Sequence, residues 1–144
     1  MRMATAIGAA TVGLERFYGH VLSRDAMTDD RLWPYPQLDV ICAKGLVVTP
    51  DGARFDDEGR GGIYMTNAIA RLDDPLSATA VFDSTVWADA RDSDNVPPNP
   101  SLTDNGGTLI AAGTLDELAA KAGLDAAGLA ATVAAFNAAV AAGS

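Results

Sequence analysis

The chain has 144 residues, 49% of them hydrophobic, enough for one globular domain with a substantial core. Its net charge of −9, from 19 acidic and 10 basic residues, leaves no electrostatic footprint for nucleic acid or an anionic membrane. No apolar run reaches the length of a membrane span, and the single cysteine, Cys42, excludes an internal disulfide; a reducing, cytoplasmic setting is the expectation.

In chain order, the Ala-rich residues 3–13 predict a helix that ends at Gly13 and packs closely through small side chains. Residues 14–22, with Phe17, Tyr18 and Val21, read as an extended segment, and the prolines of 33–36 exclude a regular helix over 23–38. Cys42, beside Val40 and Ile41, reads as a small buried residue rather than a nucleophile. Leu46–Thr49 is β-branched and apolar. The Asp51-Gly52 pair then predicts a tight turn, with a partner strand at 53–55. Gly59, Gly61 and Gly62 form a bend. A helix is expected over 63–72 with Ile63, Asn67 and Ala70 on one repeat, stopped by Asp73-Asp74-Pro75.

Residues 77–83 predict a strand and 84–90 a short helix capped by Asp83 or Ser84. Residues 92–107 read as a polar, Pro-rich loop, and 108–111 as a short strand. Thr114 and Glu117 form a capping box for a helix that ends near Gly123. Asp125 caps a second helix whose Leu129, Val133, Phe136 and Val140 make one stripe that must bury. Helices mixed with short antiparallel strands in this order predict an α+β class, as a small antiparallel sheet flanked by helices in one domain over 1–144.

Few residues carry chemistry by type alone. His20 is the only histidine, and an imidazole at the end of an extended segment can bind a carboxylate or carbonyl; taken alone it reads as an ordinary histidine. Arg54, Asp56, Asp57, Glu58 and Arg60 place three acids and two bases within seven residues. Such a knot can relay protons, although a charge run is most often a solvated loop. Gly59-Arg60-Gly61-Gly62 lacks the spacing of a dinucleotide fingerprint, and the sequence has no Walker segment and no Cys/His cluster for zinc.

Four stretches, in order, give these residues a family. They are Gly8-Ala9 through Glu15-Arg16-Phe17-Tyr18-Gly19-His20; Val47 through Asp51-Gly52-Ala53-Arg54-Phe55-Asp56-Asp57-Glu58; Ala80-Val81-Phe82-Asp83; and 114–137, with Leu118-Ala119, Leu129–Val133 and Phe136-Asn137. Together they resemble the substrate-capping domain of the fumarate reductase/succinate dehydrogenase flavoprotein superfamily, which includes 3-ketosteroid dehydrogenases, tricarballylate dehydrogenase and L-aspartate oxidase. The resemblance implies hydride transfer between FAD and a carbon pair next to a carbonyl or carboxylate. The FAD is held by a flavin domain absent from this chain, and the cap contacts the small-molecule substrate. On this basis His20 contacts substrate, Glu58 with Arg60 belongs to the proton route, and Arg54 holds the loop. The chain alone is expected to bind no cofactor and to be inactive.

Departures from the family's fumarate reducers are informative. Trp87 stands where they have a catalytic Arg, Asp57 where they have a substrate-binding Thr, and Tyr18 where Gln is common. These losses imply an apolar or carbonyl-bearing substrate that faces Tyr18 and Trp87, rather than fumarate. Loss of the flavin domain implies an exposed apolar face, with Trp33, Tyr35 or Trp87 on it, that copies cover in a homodimer. The alternative is an independent binding domain that reuses the cap fold without flavin; a hydrolase using His20 is the weakest of the three readings.

Overall fold

The structure is a computed structural model that describes residues 2–93 and 96–143. Along the chain it runs α1 (Arg2–Ala6), α2 (Asp39–Lys44), β1 (Leu46–Val48), α3 (Gly62–Ile69), β2 (Thr79–Val81), α4 (Ser84–Asp89), α5 (Pro98–Asp104), α6 (Leu115–Ala122) and α7 (Ala126–Ala142), with short 3-10 turns between several of them. The class is α+β. β1 and β2 pair antiparallel, with Leu46 opposite Val81 and Val48 opposite Thr79, and helices flank the sheet.

β1 organises the core. Its side chains alternate across the sheet, yet all three are buried, so each face needs its own cover. Val47 packs with Cys42, Met65 and Ala68 from α2 and α3. Leu46 and Val48 pack with Ala119 and Leu129 from α6 and α7. The predicted stripe on α7 is buried at Leu129 and partly buried at Val133 and Phe136, whereas Val140 stays exposed. The caps follow the sequence. Asp83 accepts from Thr85 N and Val86 N, Thr114 from Glu117 N, and Asp125 from Gly128 N, and Gly123 ends α6 in the left-handed region at φ 72°.

The Asp51-Gly52 turn is where β1 meets α7. A Cβ on Gly52 would lie 2.2 Å from the Leu129 amide nitrogen, and one on Gly128 would lie 1.9 Å from the Asp51 carbonyl oxygen. Asp125 N donates to Pro50 O at 2.8 Å, and Thr132 Oγ1 to Gly52 O at 2.7 Å. The two glycines let turn and helix touch backbone to backbone.

Several expectations are corrected. The N-terminal helix stops at Ala6 instead of Gly13, because Gly8 turns to φ 87°, and all of α1 is exposed rather than packed. Residues 14–22 form no strand; Phe17 N and O are held by the Asn67 side chain at 3.0 and 2.9 Å, and Val21 O accepts from Leu38 N. Asn67 therefore serves this contact, and the packed face of α3 is Gly62, Met65 and Ala68, not Ile63 and Ala70.

The strand expected at 53–55 shrinks to one bridge, Val48 with Arg54. A carboxylate intervenes, since Val47 N donates to Glu58 Oε1 at 2.7 Å instead of to a third strand. Within the loop expected at 92–107, of which 94 and 95 lie outside the described residues, the chain forms α5, kinked at Asn99. Pro98 is favourable there, because the first helical turn leaves amides unpaired anyway. Residues 108–111 form no strand, since Thr108 N donates to the Asp25 carboxylate at 2.7 Å.

Candidate functional site

The charged knot resolves into an inner and an outer part. Glu58 is buried, with 2% of its surface exposed. Its Oε1 accepts from Val47 N and its Oε2 from Arg54 Nε at 2.6 Å. A buried carboxylate is tolerated only when paired and hydrogen-bonded, and both conditions hold. Arg54 also reaches Asp57 at 3.4 Å and lies over the Phe136 ring at 5.7 Å, tying the loop to α7. Arg54 thus joins the loop to Glu58, Asp57 and α7.

The outer part faces solvent. Arg60 lies over the ring of Tyr64 at 3.7 Å, and Tyr64 donates its hydroxyl to Asp56 at 2.9 Å. The Asp57 amide beside Asp56 lowers that carboxyl below its usual range, with burial acting against it and Tyr64 adding to it. The same hydrogen bond raises the Tyr64 phenol. Asp57 accepts from Gly59 N and starts the 3-10 turn Glu58–Arg60. Glu58 and Arg60 are therefore separated, one turned into the core and the other laid on Tyr64 at the surface.

His20 stands apart from the knot. Its Nδ1 is 2.5 Å from Asp39 Oδ2, and the other Asp39 oxygen accepts from Val21 N at 2.9 Å. Asp39 is the first residue of α2, and Gly62 packs against it so closely that a Cβ there would lie 2.1 Å from the Asp39 carboxyl carbon. Neither side chain is fully buried, at 25% and 21% exposed. A carboxylate accepts only, so the Nδ1 position carries the proton and Nε2 is left for a ligand. Tyr18 packs edge-on against the His20 ring at 5.3 Å but is itself 79% exposed.

His20 lines the rim of a cavity of about 460 Å³, whose walls are mostly apolar and include Val21, Leu22, Ile41, Leu102, Leu109 and Ile110. β2 and Phe82 form one side, and Leu118 and Ala122 of α6 another. A second depression beside it is lined by Phe17, Tyr18, His20, Trp33 and Pro34. Neither is lined by Asp57, Glu58, Arg60 or Trp87. Trp87 stacks on Phe82 with centroids 6.0 Å apart and reaches the cavity only through it. The buried Asn99 donates to Trp87 O at 2.8 Å and fixes the end of α4.

The structure thus brings His20 and Tyr18 together, groups Arg54, Asp57 and Glu58 elsewhere, and leaves Trp87 behind the cavity wall. Asp39 was missed by sequence reasoning. Its only local signal is an acid at a helix start, which is also the signature of an ordinary first turn. Cys42 also lines the cavity, and burial, reinforced by the Asp39 and Glu58 carboxylates, pushes its thiol up to about 12, which makes it a poor nucleophile.

Among the described residues, no cluster of three or more His, Cys, Asp or Glu side chains is placed to hold a metal ion, and no helix is long and apolar enough to cross a membrane. The chain's glycines do not form a dinucleotide cradle. Gly61 and Gly62 enter α3 from a 3-10 turn rather than from a strand, and Gly62 is filled by Asp39. No protein-family model, no curated protein and no solved structure matches the chain.

Proposed function

We propose that the chain is the substrate-capping part of a cytoplasmic FAD-dependent oxidoreductase of the fumarate reductase/succinate dehydrogenase type, acting on a carbon pair next to a carbonyl or carboxylate. The observation that carries this reading is the His20–Asp39 pair at the rim of an apolar cavity. Asp39 fixes the ring, and Nε2 remains to meet one substrate oxygen. A neutral ring accepts from a hydroxyl, and an imidazolium donates to a carbonyl.

Hydride exchange belongs to FAD carried by a separate flavin domain, which is the partner this reading requires. This chain's residues bind and orient the substrate and exclude water from it. Glu58 and Arg60, the proton-route residues that the resemblance implies, do not line this cavity, so they are given no proton step toward a substrate held on His20. The test is to express the chain with the sequence that flanks it in its gene and to follow flavin absorbance without oxygen. Flavin that co-purifies and exchanges electrons with an unsaturated or saturated carbonyl compound supports the proposal. Efficient fumarate reduction would contradict the assignment of a substrate with less negative charge.

One observation favours a second reading, an independent binding domain without flavin. Both oxygens of Glu58 are committed to holding β1 and Arg54, as in a purely structural carboxylate. A flanked protein that purifies without flavin and still binds small molecules supports this second reading.

A further inference from the structure

β2 is poorly covered for a strand at the centre of a small domain. Thr79, Ala80 and Val81 are all only partly buried, whereas every residue of its partner β1 is buried. The difference is the cavity, which runs along β2 and Phe82 and is roofed by Leu109 and Ile110. Thr108–Ile110 is held over it by the Asp25 carboxylate, which takes the Thr108 amide. A volume of about 460 Å³ lies within the range of small-molecule sites, which are mainly apolar with a few placed polar groups.

The charges at the rim select the ligand. His20 Nε2 is the one ring nitrogen left after Nδ1 meets Asp39. Asp25 lines the cavity with its carboxylate engaged by the Thr108 amide and the Ser23 hydroxyl and with Arg24 beside it, while Asp39 holds His20 from outside the lining. Arg24 and Asp25 offset one another, so a ligand carboxylate would be desolvated against a mainly apolar wall with no cation of its own, whereas a neutral oxygen is satisfied by His20 Nε2.

We propose that this cavity is a binding site for an uncharged, largely apolar small molecule that carries one hydroxyl or carbonyl, with its body along β2, Leu109 and Ile110 and its oxygen on His20. The inference rests on the cap reading for its placement of His20 and narrows the substrate class. It needs no flavin, so its failure is distinguishable from failure of that reading.

The experiment uses the full chain and three probes of one skeleton: 4-phenylcyclohexanol, 4-phenylcyclohexanone and 4-phenylcyclohexanecarboxylate. Binding is read by calorimetry and by the ring resonances of the only histidine. The alcohol or the ketone is expected to bind with one-to-one stoichiometry and to move the His20 signals, and the carboxylate to bind roughly tenfold more weakly or not at all. His20→Phe keeps the bulk and is expected to weaken the neutral probes by roughly tenfold. Ala78→Leu and Ala122→Leu fill the cavity from different walls; they are expected to abolish binding while leaving the melting temperature unchanged or higher. No binding by either neutral probe would overturn the proposal. So would a carboxylate that binds as tightly, or binding that survives both filling variants in folded protein.

Discussion

Glu58 and Arg54 are unequal partners, and their variants should differ. Glu58 is 2% exposed and its partner's side chain 38%. Arg54→Met leaves a buried carboxylate with only the Val47 amide and is expected to destabilise by about 3 kcal/mol, the lower end for an orphaned buried charge because Arg54 is partly exposed. Glu58→Gln keeps an acceptor for that amide and is expected to cost less, about 1–2 kcal/mol. Urea unfolding of both variants checks the order, and a larger loss for Glu58→Gln would contradict it. Cys42, its thiol raised to about 12, is expected to resist a thiol reagent at pH 8 until the protein is unfolded. Rapid labelling of native protein would contradict its burial. At this scale the sequence disclosed the burial of Cys42, which lies beside the apolar Val40 and Ile41. It did not disclose that Glu58 replaces a strand carbonyl, because a carboxylate that bonds an amide eleven residues back leaves no periodic trace.

The connecting segments are held by a few polar contacts, and these set local opening. Asp25 lies below its ordinary carboxylate value, chiefly through the Thr108 amide. A depressed carboxyl contributes stability above its unfolded-chain value, and the contribution is lost as pH falls through the lower folded value. Hydrogen exchange at Thr108, corrected for intrinsic rate, is therefore expected to stay slow near neutral pH and to speed up in acid. In Asp25→Asn it is expected to be fast at both. Gly128→Ala would push a methyl into the Asp51 carbonyl, and a loss of at least ~2 kcal/mol is expected from calorimetry. Caps and stripes were the legible part of the elements, because Asp83, Thr114, Asp125 and Leu129 act on neighbours three or four residues away. The strands expected at 53–55 and 108–111 were not legible. Beside 53–55 the Val47 amide of β1 goes to Glu58, at 108–111 the Thr108 amide goes to Asp25, and Asn99 kinks the segment from which α5 grows.

Across the whole molecule, apolar surface is concentrated at the N-terminal arm. Met3 and Ile7 are each 87% exposed and Val12 90%, and Trp33 and Tyr35 are also exposed. Exposed apolar surface promotes association, and light scattering of the full chain is expected to report a dimer or larger species. Removal of residues 2–16, none of which is buried, is expected to reduce association with little change in melting temperature. The α+β class was legible in the sequence because β1, α6 and α7 carry clear signals, whereas α2, which covers one face of β1 without a side-chain cap, was not. The cavity was not, because its walls come from segments distant in the chain. In the proposed function this chain caps a substrate beside flavin and meets it through His20. The most direct measurement is anaerobic flavin absorbance of the protein that includes its genomic flanks, wild type against His20→Ala. Bound FAD that exchanges electrons with a neutral carbonyl compound is expected, with a large loss of that exchange in the variant while the FAD stays bound. Purification without flavin, or equal rates for the two proteins, would contradict it.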